Sequence, residues 1–230
     1  MTSHAQLNRR GLLSSASLCI LGCASNVAPL QRPAPEVDTR FAELERSVGG
    51  RLGVAAVDTG TARHVSYRAG ERFPMCSTFK LPLVAAVLKR VDAGEESLAR
   101  RIAYDEAALL EYAPVTREHL SEGGMSVEAL CEASITLSDN TAANLLLETL
   151  GGPAGLTAFF RTLGDPTSRL DRNEPMLNAA KPGDERDTTT PSAMLGVMQE
   201  LLVGNVLGDT TKERLLGWLR ARRAESEDAV

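Results

Sequence analysis

The stretch Phe73 to Lys80, FPMCSTFK, divides the chain into two patterns of hydrophobicity. On its N-terminal side Arg51 to Asp58 (RLGVAAVD) is a strand candidate, Thr59-Gly60 reads as a turn and His64 to Arg68 as a second strand, which together predict a hairpin. On its C-terminal side Leu81, Val84, Ala85, Val87, Leu88 and Val91 recur with the helical period, and Gly94 is placed to stop the helix. Further helices are predicted at about 99 to 111, 126 to 135, 139 to 150, 153 to 163, 191 to 203 and 208 to 221. An amphipathic helix over Val37 to Val48, ended by Gly49-Gly50, precedes the hairpin. Residues 165 to 190 carry Pro166, Pro175, Pro182 and Gly183 in a polar run and read as a long loop, and loops of that length inside compact domains usually carry function.

Composition narrows the functions open to such a chain. With 30 acidic against 25 basic residues, a net charge of −5 and 4% aromatics, there is no basic face for a phosphate backbone and no platform for stacking bases, so nucleic acid is excluded as a partner. Residues 1 to 28 read as an export signal. Asn8-Arg9-Arg10-Gly11-Leu12-Leu13 resembles a twin-arginine signal, and the apolar run from Gly11 to Gly22 is too short to be a transmembrane span. Ile20-Leu21-Gly22-Cys23 also resembles a lipoprotein processing site that would leave a lipid anchor on Cys23; the alternative is ordinary cleavage near Ala24 or Ala28. Residues 29 to 36, with Pro29, Pro33 and Pro35, form a spacer. The protein is thus expected to be periplasmic or secreted, with a surface lipoprotein as the second option. Beyond the signal only Cys76 and Cys131 remain, so this is no disulfide scaffold, and Cys131 in its apolar helical stretch is expected in the core.

Three patterns carry chemistry. Ser77 and Lys80, three residues apart at the start of a helix, lie on one face, where a desolvated lysine can take the serine proton and the helix N-terminus can face an oxyanion. This pattern alone is weak, since it arises by chance about once in such a chain, and taken by itself a capping Ser77 with a surface Lys80 is the better reading of it. Ser138-Asp139-Asn140 has a chance expectation of roughly 0.03; it reads as a proton-transferring hydroxyl beside a carbonyl-holding amide, as a helix cap, or as both. Arg172-Asn173-Glu174-Pro175-Met176-Leu177-Asn178 sets a carboxylate and an amide four residues apart on the long loop, a spacing that could hold one water, with a chance expectation of about 0.003.

With these motifs the chain resembles the class A serine beta-lactamases. The resemblance runs from about Phe41 to Trp218 and rests on Phe73 to Lys80, Tyr112 to Thr116 (YAPVT), Ser138 to Asn144 (SDNTAAN), Leu170 to Asn178 and Asp184 to Pro191 (DERDTTTP), in the family's order and spacing. It implies an α/β fold of the beta-lactamase/transpeptidase type, with an all-helical subdomain and an α/β subdomain built on an antiparallel sheet. It implies a single domain over 37 to 218, a monomer, beta-lactam antibiotics (penicillins and cephalosporins) as substrate, and neither cofactor nor metal. By the same resemblance Ser77 is the nucleophile, Lys80 accepts or relays its proton, and Ser138 protonates the leaving nitrogen. Glu174, positioned with Asn178, activates the hydrolytic water, and whether Lys80 or Glu174 is the base for acylation stays open. Asn140 binds the acylamide side chain, Tyr112 forms an aromatic wall, and Arg172 with Asp187 closes the neck of the loop. The alternative is an inactive or acyl-trapping penicillin-binding protein that binds the drug without turnover, and a transpeptidase ranks behind both.

One family motif is missing. No lysine precedes Thr-Gly or Ser-Gly, and residues 219 to 230 (LRARRAESEDAV) do not resemble the family, which would continue through a loop, three antiparallel strands and a closing helix. A truncation is therefore expected, leaving only the strands at 51 to 58 and 64 to 68, with the helices at 37 to 48 and 208 to 221 short of a sheet to cover. Little hydrolytic activity is expected of such a chain, because loss of one oxyanion donor alone costs about 3 kcal/mol. Cys76, which in some relatives pairs with a cysteine in the missing segment, is expected as a free thiol. Mass spectrometry of the mature N-terminus checks the export reading: the first residue found should be Cys23 or Ala24 or one shortly after it, and an intact Met1 in envelope material would overturn it.

Overall fold

The computed structural model describes the backbone of residues 35 to 227 and the side chains of 39 to 221; the export signal with Arg9, Arg10 and Cys23, and the spacer up to residue 34, lie outside the described residues. Helix α1 spans Pro35–Val48, followed by strands β1 (Val54–Val57), β2 (His64–Tyr67) and β3 (Phe73–Pro74). Then come α2 (Lys80–Asp92), β4 (Arg101–Ala103), α3 (Pro114–Glu118), β5 (Gly124–Ser126), α4 (Val127–Thr136), α5 (Asn140–Thr149) and α6 (Pro153–Thr162). Strand β6 (Thr188–Thr189), α7 (Pro191–Leu202) and α8 (Asp209–Glu227) complete the order.

The predicted hairpin forms. Strands β1 and β2 pair antiparallel from Val54 opposite Tyr67 to Val57 opposite His64. Their turn is held by Asp58, whose carboxylate accepts the amides of Gly60 and Thr61. Helix α1 packs on β2, and Glu45 fastens it there. One carboxylate oxygen accepts the Leu52 amide at 2.9 Å, and the other accepts the Tyr67 hydroxyl and the Arg68 guanidinium, each at 3.0 Å. Gly53, at the entry to β1, has no room for a side chain: a Cβ there would lie 2.5 Å from the Phe73 ring and 2.8 Å from Pro191.

The core is helical. Leu83, Val84, Val87 and Leu88 of α2 are fully buried, and α2 is apolar around most of its circumference because α4, α5, α6, α7 and α8 all pack against it. Leu130, Leu146, Leu147, Leu156, Phe160, Leu201 and Leu215 fill the space between these helices. A central helix of this kind fixes whatever stands at its first turn, and that is Lys80.

Several sequence expectations need correction. The segment 99 to 111 is not a helix. Arg101–Ala103 pairs antiparallel with β5, Ile102 opposite Met125, with Ile102 and Tyr104 turned inward and Arg101 and Ala103 outward. The two-residue alternation prevails there, and Asp105 caps only a 3-10 turn. The sheet structure exceeds the hairpin, for β3 pairs with β6 and β4 with β5, giving three two-stranded ladders among the described residues. The loop 165 to 190 thus holds a strand at its end, and a 3-10 turn at Met176–Ala179. The helix packed against β1 is α7, while α8 lies on α2, α4 and α7. The helix after Phe73 to Lys80 begins one turn late, with a 3-10 turn over Cys76–Phe79 preceding α2.

Glu45 gives the fold a pH dependence. The Leu52 amide, followed by Arg68, holds its carboxyl below the ordinary value. A depressed folded pKa means that the stabilisation is present above the unfolded value and is lost as pH falls through the folded one. Glu45→Gln should melt below the parent at neutral pH, and the gap should narrow on acidification; thermal unfolding across an acid series would contradict this if the gap stayed constant.

Candidate active site

Ser77 stands in the 3-10 turn that leads into α2, on a segment fixed from both sides. Phe73 and Pro74 pair with Thr189 and Thr188, and the Met75 amide donates to the Asp187 carbonyl at 2.9 Å. Ser77 is therefore not a helix cap; the capping position falls at Met75 and has no side-chain acceptor. Nor is Lys80 a surface lysine, since only 2% of it is exposed.

Lys80 joins the three sequence patterns. Its Nζ lies 3.2 Å from Ser77 Oγ, 3.0 Å from Ser138 Oγ, 2.7 Å from the Ser138 carbonyl and 2.6 Å from Asn140 Oδ1. It stands 3.5 Å from Glu174 Oε1, and Ser138 Oγ donates to Ser77 Oγ at 3.1 Å. An ammonium taken so far out of water is tolerable only because acceptors and a carboxylate surround it.

Ser138 reaches Lys80 with both oxygens because its backbone is left-handed, φ +56°. Asp139 holds that turn. Fully buried, it caps α5 through the Ala142 amide at 2.9 Å and accepts the amides of Val115 and Thr116 at 3.0 and 2.9 Å, together with the Thr116 hydroxyl. Asn140 donates its backbone amide to the Tyr112 carbonyl at 3.2 Å. Tyr112 itself is 55% exposed, at the rim.

Glu174 is 4% exposed. Asn178 donates to its Oε2 at 2.6 Å, while Oε1, facing Lys80, has no hydrogen-bond partner among the described residues. The backbone of Glu174 is bracketed by one side chain on α5: its amide donates to Asn144 Oδ1 and its carbonyl accepts from Asn144 Nδ2, each at 3.0 Å. The neck of the loop is closed by Arg172, whose Nε donates to Asp187 Oδ2 at 2.5 Å, while Asp187 Oδ1 takes the amides of Asp171 and Arg172.

Ser77, Ser138, Asn140 and Glu174 thus meet around Lys80 and Asn178 joins them through Glu174, while Tyr112, Arg172 and Asp187 lie at the rim or in the loop neck. Missed were Asn144, Asp139 and Thr116 as positioning groups. Asn144 did leave a signal: it is a polar residue one turn after Asn140, between Ala142-Ala143 and Leu145-Leu146-Leu147. Cys131 is sealed in the core and Cys76 is exposed, both as free thiols. Among the described residues no three His, Cys, Asp or Glu side chains are grouped to hold a metal, and no helix is long and apolar enough to cross a membrane.

A serine, a second serine and a carboxylate gathered on one buried lysine form an arrangement that can support acyl transfer, on a helical core edged by small antiparallel ladders. The profile of the "Beta-lactamase enzyme family" matches residues 36 to 226, past Trp218 and almost to the end of α8. "Beta-lactamase AST-1" of Nocardia asteroides is 54% identical over 184 residues, which is 80% of this chain and 59% of that relative. Among solved structures, "Ancestral (GNCA) Beta-lactamase class A" has a TM-score of 0.79 at 59% identity, covering 80% of this chain and 71% of its own. "Putative Class A Beta-Lactamase PenP" from Rhodopseudomonas palustris has 0.78 at 51% identity, covering 81% and 71%. The chain belongs to the beta-lactamase enzyme family, in its class A branch. It spans 59% of the length of its curated relative from Nocardia asteroides.

Asp139 offers a test of how the site is held. Asp139→Ala leaves the amides of Val115, Thr116 and Ala142 without their acceptor, so it should lower unfolding stability by about 3 kcal/mol in a denaturant titration. An unchanged midpoint would show that the turn is held by other groups.

Proposed function

We propose that this chain is a serine hydrolase that opens beta-lactams through an acyl-enzyme on Ser77. The observation carrying the reading is that one buried ammonium, Lys80 Nζ, lies within 3.5 Å of Ser77 Oγ, Ser138 Oγ and Glu174 Oε1. Ser77 Oγ attacks the lactam carbonyl as its proton passes either to Lys80, once Lys80 has given a proton to Glu174 and stands as a neutral amine, or, through a water, to Glu174 directly. The Ser77 amide, at the start of the helix, faces the developing oxyanion. Collapse of the tetrahedral intermediate breaks the C–N bond, Ser138 gives its proton to the leaving nitrogen and recovers one from Lys80, and Lys80 regains its own from Glu174, which is left a carboxylate. Glu174 then takes a proton from the water that attacks the ester, with Asn178 fixing one carboxylate oxygen. Because Lys80 holds Asn140 by its oxygen, the amide NH2 is left to donate to a substrate carbonyl. Tyr112 lines the mouth, and Arg172 with Asp187 holds the loop that carries Glu174. The protein acts as a monomer outside the cytoplasm, led by its export signal, with attachment at Cys23 as the lipoprotein version.

The buried Glu174 with Asn178 supports turnover over mere trapping. Glu174→Ala should still acquire a penicillin adduct, with release slowed about 10² to 10⁴-fold, whereas Ser77→Ala should acquire none. Intact-mass spectrometry after penicillin, beside nitrocefin hydrolysis, reads both steps. A parent chain that keeps its adduct as long as Glu174→Ala would instead be a trapping protein.

A further inference from the structure

We infer that Arg72 is a positioning residue for deacylation: one guanidinium ties both ends of the long loop to the strand that leads into Ser77, and so fixes where Glu174 stands relative to the acyl-enzyme. Its Nη1 donates to the Thr167 carbonyl and to the Thr188 hydroxyl, each at 3.0 Å. Thr167 lies where the chain sets out toward Glu174, and Thr188 lies in β6, where it returns.

Both sides of this clamp are themselves held. Arg72 immediately precedes β3, whose Phe73 and Pro74 pair with Thr189 and Thr188. Its carbonyl accepts Arg51 Nη2 at 2.9 Å, and the Arg51 guanidinium lies 4.5 Å over the Phe73 ring. On the loop side Thr188 is buried, and its hydroxyl hydrogen is committed to the Glu185 carbonyl at 2.5 Å, which leaves the oxygen to accept from Arg72. The two loop ends also meet each other, through the hydroxyls of Ser168 and Thr189 at 2.6 Å and the Arg169 amide on the Thr188 carbonyl at 3.1 Å.

The competing reading is a surface ion pair with Glu185. Arg72 Nε stands 3.7 Å from a Glu185 oxygen, but that side chain is 65% exposed, and such a pair contributes little. The acceptors that Nη1 serves are uncharged, so the guanidinium is used for its direction more than for its charge. Arg172 with Asp187 closes the neck from within the loop; Arg72 differs in seating the closed neck on the segment that carries Ser77. Without it the neck stays closed but its seat loosens, and the carboxylate loses its register with an ester fixed on Ser77. Adduct formation draws also on Lys80 and Ser138, held by α2 and the start of α5, and so suffers less than release.

The kinetic half of this inference rests on Glu174 acting as the base in the proposed function; the structural half does not. The full chain, Arg72→Gln, Arg72→Lys and Thr188→Val are each given benzylpenicillin and followed by intact-mass spectrometry, and hydrogen exchange is mapped on untreated samples. In Arg72→Gln, release of the adduct should slow by about tenfold to a hundredfold relative to its formation. Arg72→Lys, which keeps donors for both acceptors, should recover most of the loss. Exchange at the amides of Leu177 and Asn178, bonded to the carbonyls of Asn173 and Pro175, should quicken about tenfold while the amides of α2 keep the parent's rates. Thr188→Val removes one acceptor and leaves the β3–β6 backbone pairing in place, so it should show the same pattern at smaller size, and it decides the matter if Arg72→Gln does not fold. Formation and release slowed equally, release unchanged, or loop exchange unchanged would each overturn the inference. If the untreated parent takes no penicillin, the proposed function fails, and the exchange data alone decide whether Arg72 holds the loop.

Discussion

A buried ammonium is expensive unless it is surrounded by acceptors, and the demand made by Lys80 Nζ organises this protein. Its acceptors come from places far apart in sequence: Ser77 one turn away, Ser138 and Asn140 at the start of α5, and Glu174 in the long loop. None can move without leaving charge unpaired in a low-dielectric interior. The apolar packing of α2 against its neighbouring helices supplies the rigidity that makes this demand exact in space, because a helix packed on so many sides cannot slide or roll to relieve it. Function and fold therefore meet at the first turn of α2.

The long loop is bound to that helical core by side chains rather than by regular structure. Asn144 substitutes for a strand partner, exchanging two hydrogen bonds with the backbone of Glu174, as a neighbouring peptide would. Asp187 gathers the loop neck with one carboxylate, taking two amides and a guanidinium. Removing either group would leave buried amides unpaired, which costs more than the bond itself contributes. A loop held this way can have an irregular path and still deliver a carboxylate to a fixed point.

Much of this was legible in the sequence, for identifiable reasons. The S-x-x-K, S-D-N and E-x-x-x-N patterns work through short-range spacing, on one helix turn or one tight turn, which sequence displays directly. The strand pairing of Arg101–Ala103 was not legible, because its partner Gly124–Ser126 lies across an intervening helix and its alternation is only a few residues long. Asn144 was hidden for a similar reason: its polarity is visible in the sequence, but what it bonds is thirty residues away. The role of Asp139 could be anticipated only in part, since capping is local, whereas its bonds to Val115 and Thr116 are tertiary.

The site also concentrates backbone strain. Of the non-glycine residues with a left-handed backbone, Cys76, Ser138 and Asp187 each adjoin or lock a functional group, at φ +42°, +56° and +58°. Such conformations are unfavourable by about 1 kcal/mol or more each and persist only where the surroundings over-determine them. The surroundings here do so: β3–β6 pairing flanks Cys76 and Asp187, and the Asp139 cluster flanks Ser138. In each case the unusual φ turns a group that a regular strand or helix would direct elsewhere, a carbonyl toward Lys80 at Ser138 and a carboxylate into the loop neck at Asp187. The strain is thus the local expression of the same requirement that begins with Lys80: charges brought together out of water must each be met by an acceptor or donor at a fixed distance, and regular backbone alone cannot bring so many to one point.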